Sequence, residues 1–268
     1  MIISRITTQK KKTHRYNIFV KKGEEESYLF SVDEDILIKH HIHKGKEITE
    51  KDVAKYKEED TAQFGYIRGI QYLSYRLRSI QEMENHLLSL EVEEEHIAQI
   101  IQRLLKEKYL DDTAFAQMFV KHRIQTSTKG PQMVFQELKA KGVTDSIAEK
   151  AIQAYTFDVQ EERAMKIAEK RLRRKTKHSF QKQRQQAEAA LYRNGFSQDV
   201  IHHVMSEFLK QPDVEEEWIA IQHQGEKLYR KQKEKWEGFE LEQKIKEGLY
   251  RQGFSFEHIE RFIEEKLG

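Results

Sequence analysis

The chain of 268 residues contains no cysteine, only two prolines and twelve glycines. The absence of cysteine excludes a small secreted scaffold that depends on disulfides. So little glycine and proline excludes a collagen-like chain or one dominated by loops. No run of about 18 uncharged apolar residues is present, so the sequence predicts no membrane span. Residues 1–12 also lack the apolar segment of a signal peptide.

Charge is what the chain has in excess. Charged residues make up 34% of it, against ~25% in an average globular protein, and hydrophobic residues only 38%. Aromatic residues, at 10%, argue against general disorder. These proportions predict a soluble, cytoplasmic protein made mostly of long, charged helices.

Residues 1–60 differ from the rest of the chain because they contain strand-like runs of β-branched and aromatic residues. These runs lie at 2–6, 16–20 and 28–32. They predict a small antiparallel sheet of three strands, followed by short helices near 33–42 and from about Thr49. Three strands alone are marginally stable, so we expect the sheet to pack on the segment after it.

Internal repetition is the strongest sign of organisation. The sequence LYRNGFS at 191–197 recurs as LYRQGFS at 249–255, with weaker echoes at 138–144 and 87–92. Each motif predicts a helix, a glycine turn or loop, an apolar residue and a capped second helix. Their spacing of about 50 to 60 residues fits one three-helix unit each.

We therefore predict a mainly α protein with tandem three-helix repeats behind a small N-terminal antiparallel β-sheet region. The expected repeats span 61–108, 109–156, 157–210 and 211–268, after a β-containing head at 1–60. Repeats of this size bury their apolar faces against their neighbours. An elongated, curved array of them would expose much surface, which accounts for the excess of charge.

Sequence patterns of a catalytic site are missing: there is no phosphate-binding G-x-x-x-x-G-K-[ST] loop, no G-x-S-x-G and no H-E-x-x-H. His40, His41 and His43 cluster, but no further ligand is placed to complete a metal site, which favours a solvated turn. The pair Asp111-Asp112 could hold Mg²⁺, but it directly precedes a helix start, where aspartate caps N–H groups. We predict neither an enzyme nor a cofactor or metal.

The net charge of +2 conceals a basic segment, since residues 163–184 contain ten Lys and Arg but one acid, Glu169. On a helix, part of this segment forms a stripe that can follow a phosphate backbone. The candidate basic face consists of Lys166, Lys170, Arg171, Arg173, Arg174, Lys175 and Lys177. It binds nucleic acid or an acidic protein groove, or it is a solvated face balanced by acids of a neighbouring repeat. The lack of local acids favours binding.

Aromatic rings and arginines come together near the first turn of repeat 1, at Tyr72, Tyr75, Arg76 and Arg78. Such groups can stack on bases and contact phosphates. The two tyrosines can equally pack between repeats, and both interpretations stay open.

Three stretches are specific enough to compare with known families. They are the arginine-bearing helix end and capping box at 75–83, the run Y-L-D-D-x-x-F-A at 109–116 followed by Arg123, and Gly130 with 137–143. Together they resemble the RecX family, the regulatory proteins of the RecA recombinase. The chain departs from the compact family core in a fourth repeat that lacks Y-L-D-D, and in the head, which longer members also have.

The resemblance implies tandem three-helix repeats and a regulatory function. RecX-like proteins bind RecA filaments on DNA and mostly inhibit recombinase, ATPase and SOS coprotease activity in DNA repair. The implied partners are the RecA filament and single-stranded DNA, with double-stranded DNA left open, and we expect a monomer.

The leading hypothesis is therefore a non-enzymatic modulator of RecA–DNA filaments that binds through the basic face, Arg76, Arg78 and Arg123. The alternative is a helix-turn-helix-like DNA-binding regulator that acts without RecA. Strong, sequence-specific duplex binding in the absence of RecA would distinguish the alternative.

Overall fold

The computed structural model describes residues 1–9, 14–22, 24–172, 177–208 and 214–267. These residues form three strands followed by thirteen helices, which confirms a mainly α protein with a small β region. The strands are β1 (Ile2–Thr8), β2 (Arg15–Lys22) and β3 (Glu25–Asp33). The helices are α1 (Glu34–Lys39), α2 (Glu50–Tyr75), α3 (Ile80–Ser89), α4 (Glu94–Lys106), α5 (Asp112–Thr126), α6 (Pro131–Lys139), α7 (Asp145–Ile152), α8 (Phe157–Leu172), α9 (Phe180–Arg193), α10 (Gln198–Glu207), α11 (Val214–Gln232), α12 (Gly238–Arg251) and α13 (Phe256–Leu267).

The predicted sheet is present as an antiparallel meander in the order β1-β2-β3. Ile3 pairs with Val20, and Ile18 pairs with Phe30. These four side chains are buried and pack with residues of α1 and α2. The sheet therefore gains its stability from the helices that come after it, as a three-stranded meander requires.

Helix α2 joins the sheet to the first repeat. Its buried Asp60 accepts a hydrogen bond from the Asp33 N–H at 2.6 Å and pairs with Arg15 at 2.7 Å. Farther along the same helix, Gly65 lies against Ile100, where an added Cβ would come within 2.6 Å of the isoleucine side chain. The predicted boundary at residue 61 thus lies inside one continuous helix, because α2 packs on the sheet with its first half and on α4 with its second.

The described helices after α1 group in threes: α2–α4, α5–α7, α8–α10 and α11–α13. The first, third and fourth groups each surround a buried apolar cluster. The chain divides into two compact parts, Met1–Ala116 with Lys139–Ile147, and Gln117–Leu138 with Ala148–Gly268. The first part contains the sheet and α1–α4, and the second contains α8–α13.

The repeated LYRxGFS motif forms the turn between the second and third helix of a repeat. In the third repeat, the Gly195 N–H donates to the Tyr192 carbonyl and the Phe196 N–H to the Leu191 carbonyl. This is a Schellman motif, which requires a left-handed residue after the helix. Gly195 has φ +82°, and Leu191 and Phe196 are buried. The same bonds and burial recur at 249–254 and 87–92.

A glutamine at the start of one repeat's second helix packs on the glycine turn of the next repeat. The pairs are Gln81 with Gly142, Gln132 with Gly195, and Gln181 with Gly253. A Cβ added at these glycines would lie 2.6, 3.1 and 2.9 Å from the glutamine Cβ atoms, respectively. Such distances leave no room for a side chain, so glycine permits the repeats to approach.

At two of these junctions, the helix that provides the glutamine is also capped by an acid of the next repeat. Ser79 caps α3, and the buried Asp112 of the next repeat accepts the Ile80 N–H at 2.9 Å. Ser179 caps α9, and the buried Glu217 of the next repeat accepts the Phe180 N–H at 2.9 Å. A carboxylate at these positions satisfies an N–H that has no partner inside its helix.

The middle junction reaches the same result without a carboxylate. Pro131 begins α6 and has no N–H to satisfy. The Gly130 N–H donates to the Asn194 carbonyl at 2.7 Å, and the Gln132 N–H donates to the Gly195 carbonyl at 3.1 Å. Backbone carbonyls of the next turn therefore replace the serine and the acid.

Replacing Gly195 by alanine tests the junction. We expect Gly195→Ala to lower the free energy of unfolding by about 2–4 kcal/mol, from left-handed strain and from overpacking against Met133. Gly238→Ala is the matched control, since Gly238 also has positive φ but no atom within 4 Å of an added Cβ. Urea denaturation followed by circular dichroism measures both, and equal losses would contradict the close approach.

The pH dependence of stability tests the cap at Glu217. Burial raises the pKa of this carboxyl, and the Phe180 N–H opposes the rise only in part. The folded protein therefore takes up a proton at a higher pH than the unfolded chain does. As the pH falls from 7 towards 5, the wild type should gain stability relative to Glu217→Gln, which keeps the acceptor oxygen but does not titrate. Thermal unfolding across this pH range measures the effect, and a difference in stability that stays constant with pH would contradict the role of Glu217.

Candidate nucleic-acid and protein interface

Four exposed cations gather where α8 ends and α9 begins, and we call them the basic end. Lys170 and Arg171 lie in the last turn of α8, Lys177 precedes the cap of α9, and Lys182 lies in its first turn. None of the four forms an ion pair with the residues that the structure describes. Positive charge at the end of α8 also complements the negative end of the helix dipole. The four cations are therefore exposed and available to an anion.

The rest of the predicted basic face is arranged differently. Lys166 forms an ion pair with Glu162, an acid one residue outside the basic segment. The helical stripe predicted for this segment does not extend to Lys177. This residue lies in a bend before the Ser179 cap and not on a helix. Arg173, Arg174 and Lys175 lie outside the described residues.

Residues of the fourth repeat form hydrogen bonds with the backbone around Lys177. The Gln224 side-chain amide donates to the Lys177 carbonyl, and Glu217 accepts the Phe180 N–H. The backbone of Lys177 is therefore fixed while its side chain is exposed to solvent.

Arg76 forms part of the junction between the first two repeats. Its guanidinium donates to both carboxylate oxygens of Glu82, at 3.1 and 3.2 Å, and Lys141 donates to Glu82 at 2.6 Å. Glu82 also closes the capping box with Ser79. Burial raises the pKa of Glu82, but the hydrogen bonds from Arg76 and Lys141 outweigh it and hold the pKa below its ordinary value.

Arg78 packs on Tyr72 inside the first repeat. The Arg78 Cζ lies 3.9 Å from the centre of the Tyr72 ring, and the His86 ring stacks on the same tyrosine at 3.9 Å. Burial, and then the positive charges of Arg78 and Arg68, lower the pKa of His86. Tyr72 thus has its partners inside the first repeat rather than in a neighbouring one. Tyr75 is 84% exposed.

Arg123 holds α5 to α6. Its Nε donates to Glu137 at 2.7 Å, Lys129 pairs with the other carboxylate oxygen, and the guanidinium lies 4.8 Å from the centre of the Phe119 ring. Burial raises the pKa of Glu137, but Lys129 and Arg123 outweigh it and lower the pKa. The structure therefore gives Arg123 a role in packing that its sequence position does not reveal.

The pair Asp111-Asp112 has a capping role, as predicted. Asp111 accepts the Thr113 and Ala114 N–H groups at 2.8 and 3.1 Å, while Asp112 caps α3 of the preceding repeat. In the described part of the chain, no three His, Cys, Asp or Glu side chains come together as a metal site. None of the helices described is long and apolar enough to cross a membrane.

The junction glutamines and the acid Glu217 were not among the residues predicted from the sequence. The signal was the recurring pair of an apolar residue or proline with glutamine at a helix start: Ile80-Gln81, Pro131-Gln132 and Phe180-Gln181. Glu217 stands in an acidic run, so nothing in the sequence distinguishes it from its exposed neighbours.

Comparison with family models finds a RecX domain for the head and for each of the four groups of helices. The RecX N-terminal domain matches residues 1–49, the first three-helix domain 66–104 and the second 111–152, and the third matches twice, at 158–205 and 215–263. The chain belongs to the RecX family. The double match of the third RecX domain explains why the repeat at 191–197 and 249–255 is the strongest.

Curated RecX relatives match from end to end. The regulatory protein RecX of Oceanobacillus iheyensis is 45% identical over 266 residues, which are 99% of this chain and 98% of that protein. The one of Bacillus subtilis is 38% identical over 265 residues, 98% of each chain. The head and the fourth repeat are therefore shared with these RecX proteins.

Two crystal structures of RecX proteins share the fold. One is 32% identical with a TM-score of 0.69 and covers 76% of this chain and 98% of its own. RecX from Lactobacillus salivarius is 34% identical with a TM-score of 0.53 and covers 56% of this chain and 97% of its own.

Alanine substitutions should separate the structural arginine from the exposed one. We expect Arg123→Ala to lower the free energy of unfolding by about 1–2 kcal/mol, since Glu137 loses one of two cationic partners in a half-buried site. Arg171→Ala should change it by less than about 0.5 kcal/mol. Chemical denaturation compares the two, and a larger loss for Arg171→Ala would contradict the assigned roles.

Proposed function

We propose that this protein is a non-enzymatic regulator that binds RecA–DNA filaments and damps their recombinase, ATPase and SOS coprotease activities in DNA repair. The observation that carries the proposal is the match to RecX domain models and RecX proteins along nearly the whole chain. The RecX relatives from Oceanobacillus iheyensis and Bacillus subtilis are regulatory proteins, which supports a regulatory rather than a catalytic role.

The basic end supports contact with the DNA in such a filament. Its four cations are exposed and have no acidic partner among the described residues, so they can replace the counterions of a phosphate backbone. Neutralising about four phosphates of single-stranded DNA predicts a log–log salt slope of about −3. The array of repeats adds protein contacts, and several weak contacts together give useful avidity.

The predicted binding residues divide into three groups under this proposal. The direct contacts are Lys170, Arg171, Arg173, Arg174, Lys175 and Lys177. Arg76, Arg78 and Arg123 act indirectly, since each already has partners within the fold. Lys166 contributes less than its neighbours because Glu162 neutralises it.

Charge reversal of the basic end is the direct test. We expect Lys170→Glu with Arg171→Glu to raise the concentration that half-inhibits the RecA ATPase on single-stranded DNA by at least about tenfold, because reversed charges repel phosphate. The matched control is Lys51→Glu with Lys55→Glu, which changes the charge by the same amount at two exposed lysines of α2. The control should shift inhibition by less than about twofold.

Two results would contradict these expectations. Equal inhibition by both double variants would remove the basic end from the mechanism. Failure of the wild type to inhibit, combined with strong, sequence-specific binding to duplex DNA without RecA, would favour the alternative of a DNA-binding regulator that acts alone.

A further inference from the structure

The fourth repeat contains a cleft of about 1010 Å³ between α11 and α13. The two helices approach closely at Gly225, where an added Cβ would lie 2.2 Å from the Phe262 ring. The wall contributed by α11 is a regular row of Ile219, His223 and Lys227, continued by Lys231. Because these residues are four positions apart, they form one ridge of the helix, about 18 Å long.

The cleft is positively charged once its ion pairs are considered. Of its two acids, Glu226 is paired with Lys266, and Glu265 is paired with Arg261 at 3.1 Å. Lys227 is exposed and, like Lys231, forms no ion pair with the part of the chain that the structure describes. Both lysines are therefore available to a ligand, whereas neither carboxylate is.

The cleft also has an apolar part. Ile219 is 62% exposed, although an isoleucine gains by burial, whereas Phe262, which also lines the cleft, is 4% exposed. Phe262 is buried, and His223 is the one exposed ring among the described lining residues, so the cleft offers little surface on which bases could stack. Two free lysines would neutralise about two phosphates, which gives a salt slope of only about −1.4 and weak nucleic-acid binding.

We propose that this cleft binds an acidic, amphipathic helix of a protein partner. The apolar face of that helix packs on Ile219, and its acidic side chains pair with Lys227 and Lys231. A groove is a common receptor for an amphipathic helix, whose side chains at i, i+4 and i+7 face the groove. Ile219, Lys227 and Lys231 are spaced along α11 so that they can meet such side chains. This surface is separate from the basic end on α8 and α9, and the proposal does not depend on binding to RecA or to DNA.

The test uses the full-length protein and a synthetic peptide. The probe is a fluorescein-labelled helix of about 14 residues with Leu at i, i+3, i+4 and i+7 and Glu beside them. A peptide of the same composition in scrambled order is the control ligand. Fluorescence anisotropy should show saturable binding at micromolar concentration for the amphipathic peptide, and about tenfold weaker binding for the scrambled one.

Variants of the protein locate the binding site. Lys227→Glu with Lys231→Glu should raise Kd for the peptide at least about tenfold. Ile219→Ala should raise it about threefold to fivefold, through the loss of apolar contact. Lys51→Glu with Lys55→Glu reproduces the charge change and the four-residue spacing, and Ile38→Ala removes a side chain that is 60% exposed on α1. Both controls should leave Kd unchanged.

Four results would overturn the proposal. Three of them are the absence of saturable binding, equal binding of the scrambled peptide, and unchanged binding of the peptide by the cleft variants. The fourth is that single-stranded DNA displaces the peptide, and that this competition is weakened by the substitutions at Lys227 and Lys231 but not by Ile219→Ala. The last of these would assign the cleft to nucleic acid. If the double charge reversal does not fold, Lys227→Gln with Lys231→Gln provides the measurement, with an expected rise in Kd of about threefold.

Discussion

The packing of a glutamine on a glycine turn is the constraint on which the repeat array depends. At Gly142, Gly195 and Gly253 the turn has a positive φ, and the incoming helix leaves no space for a Cβ. Both requirements together exclude any other residue. The corresponding residue of the first repeat is Glu91, which is exposed and tolerates φ of 60° without a neighbour that excludes its side chain. Glycine is therefore required where a preceding repeat packs on the turn. The turn itself can form without glycine, as it does at Glu91.

The junctions also decide what the charged residues do. Asp112 and Glu217 cap helices of a preceding repeat, and Arg76 orders the carboxylate of one capping box. At each of these helix starts the carboxylate satisfies an N–H that has no partner inside its helix. Charges in the junctions thus stabilise the fold, and those without partners are left for binding.

For a RecX protein, this division separates two surfaces. The basic end has four exposed cations without an ion pair among the described residues, which suits a phosphate backbone. The cleft of the fourth repeat combines two lysines with Ile219, which suits an amphipathic protein segment. The third RecX domain occurs twice in the chain, yet its two copies expose different chemistry, since residues outside the repeated turn are free to differ.

Periodicity and the glycine motif were sufficient to predict the strands, the four groups of helices and the turns, because these depend on local spacing of apolar residues and on left-handed backbone. They were not sufficient for the roles of charged residues. Lys166 and Arg171 belong to the same basic segment of the sequence. Lys166 is neutralised by an ion pair with Glu162, whereas Arg171 forms no ion pair with the described residues. Glu217 is indistinguishable from its neighbours until the Phe180 N–H of another repeat meets it. Local patterns record which residues face inwards, while charge pairing arises between residues far apart in the chain and exists only once the repeats have packed.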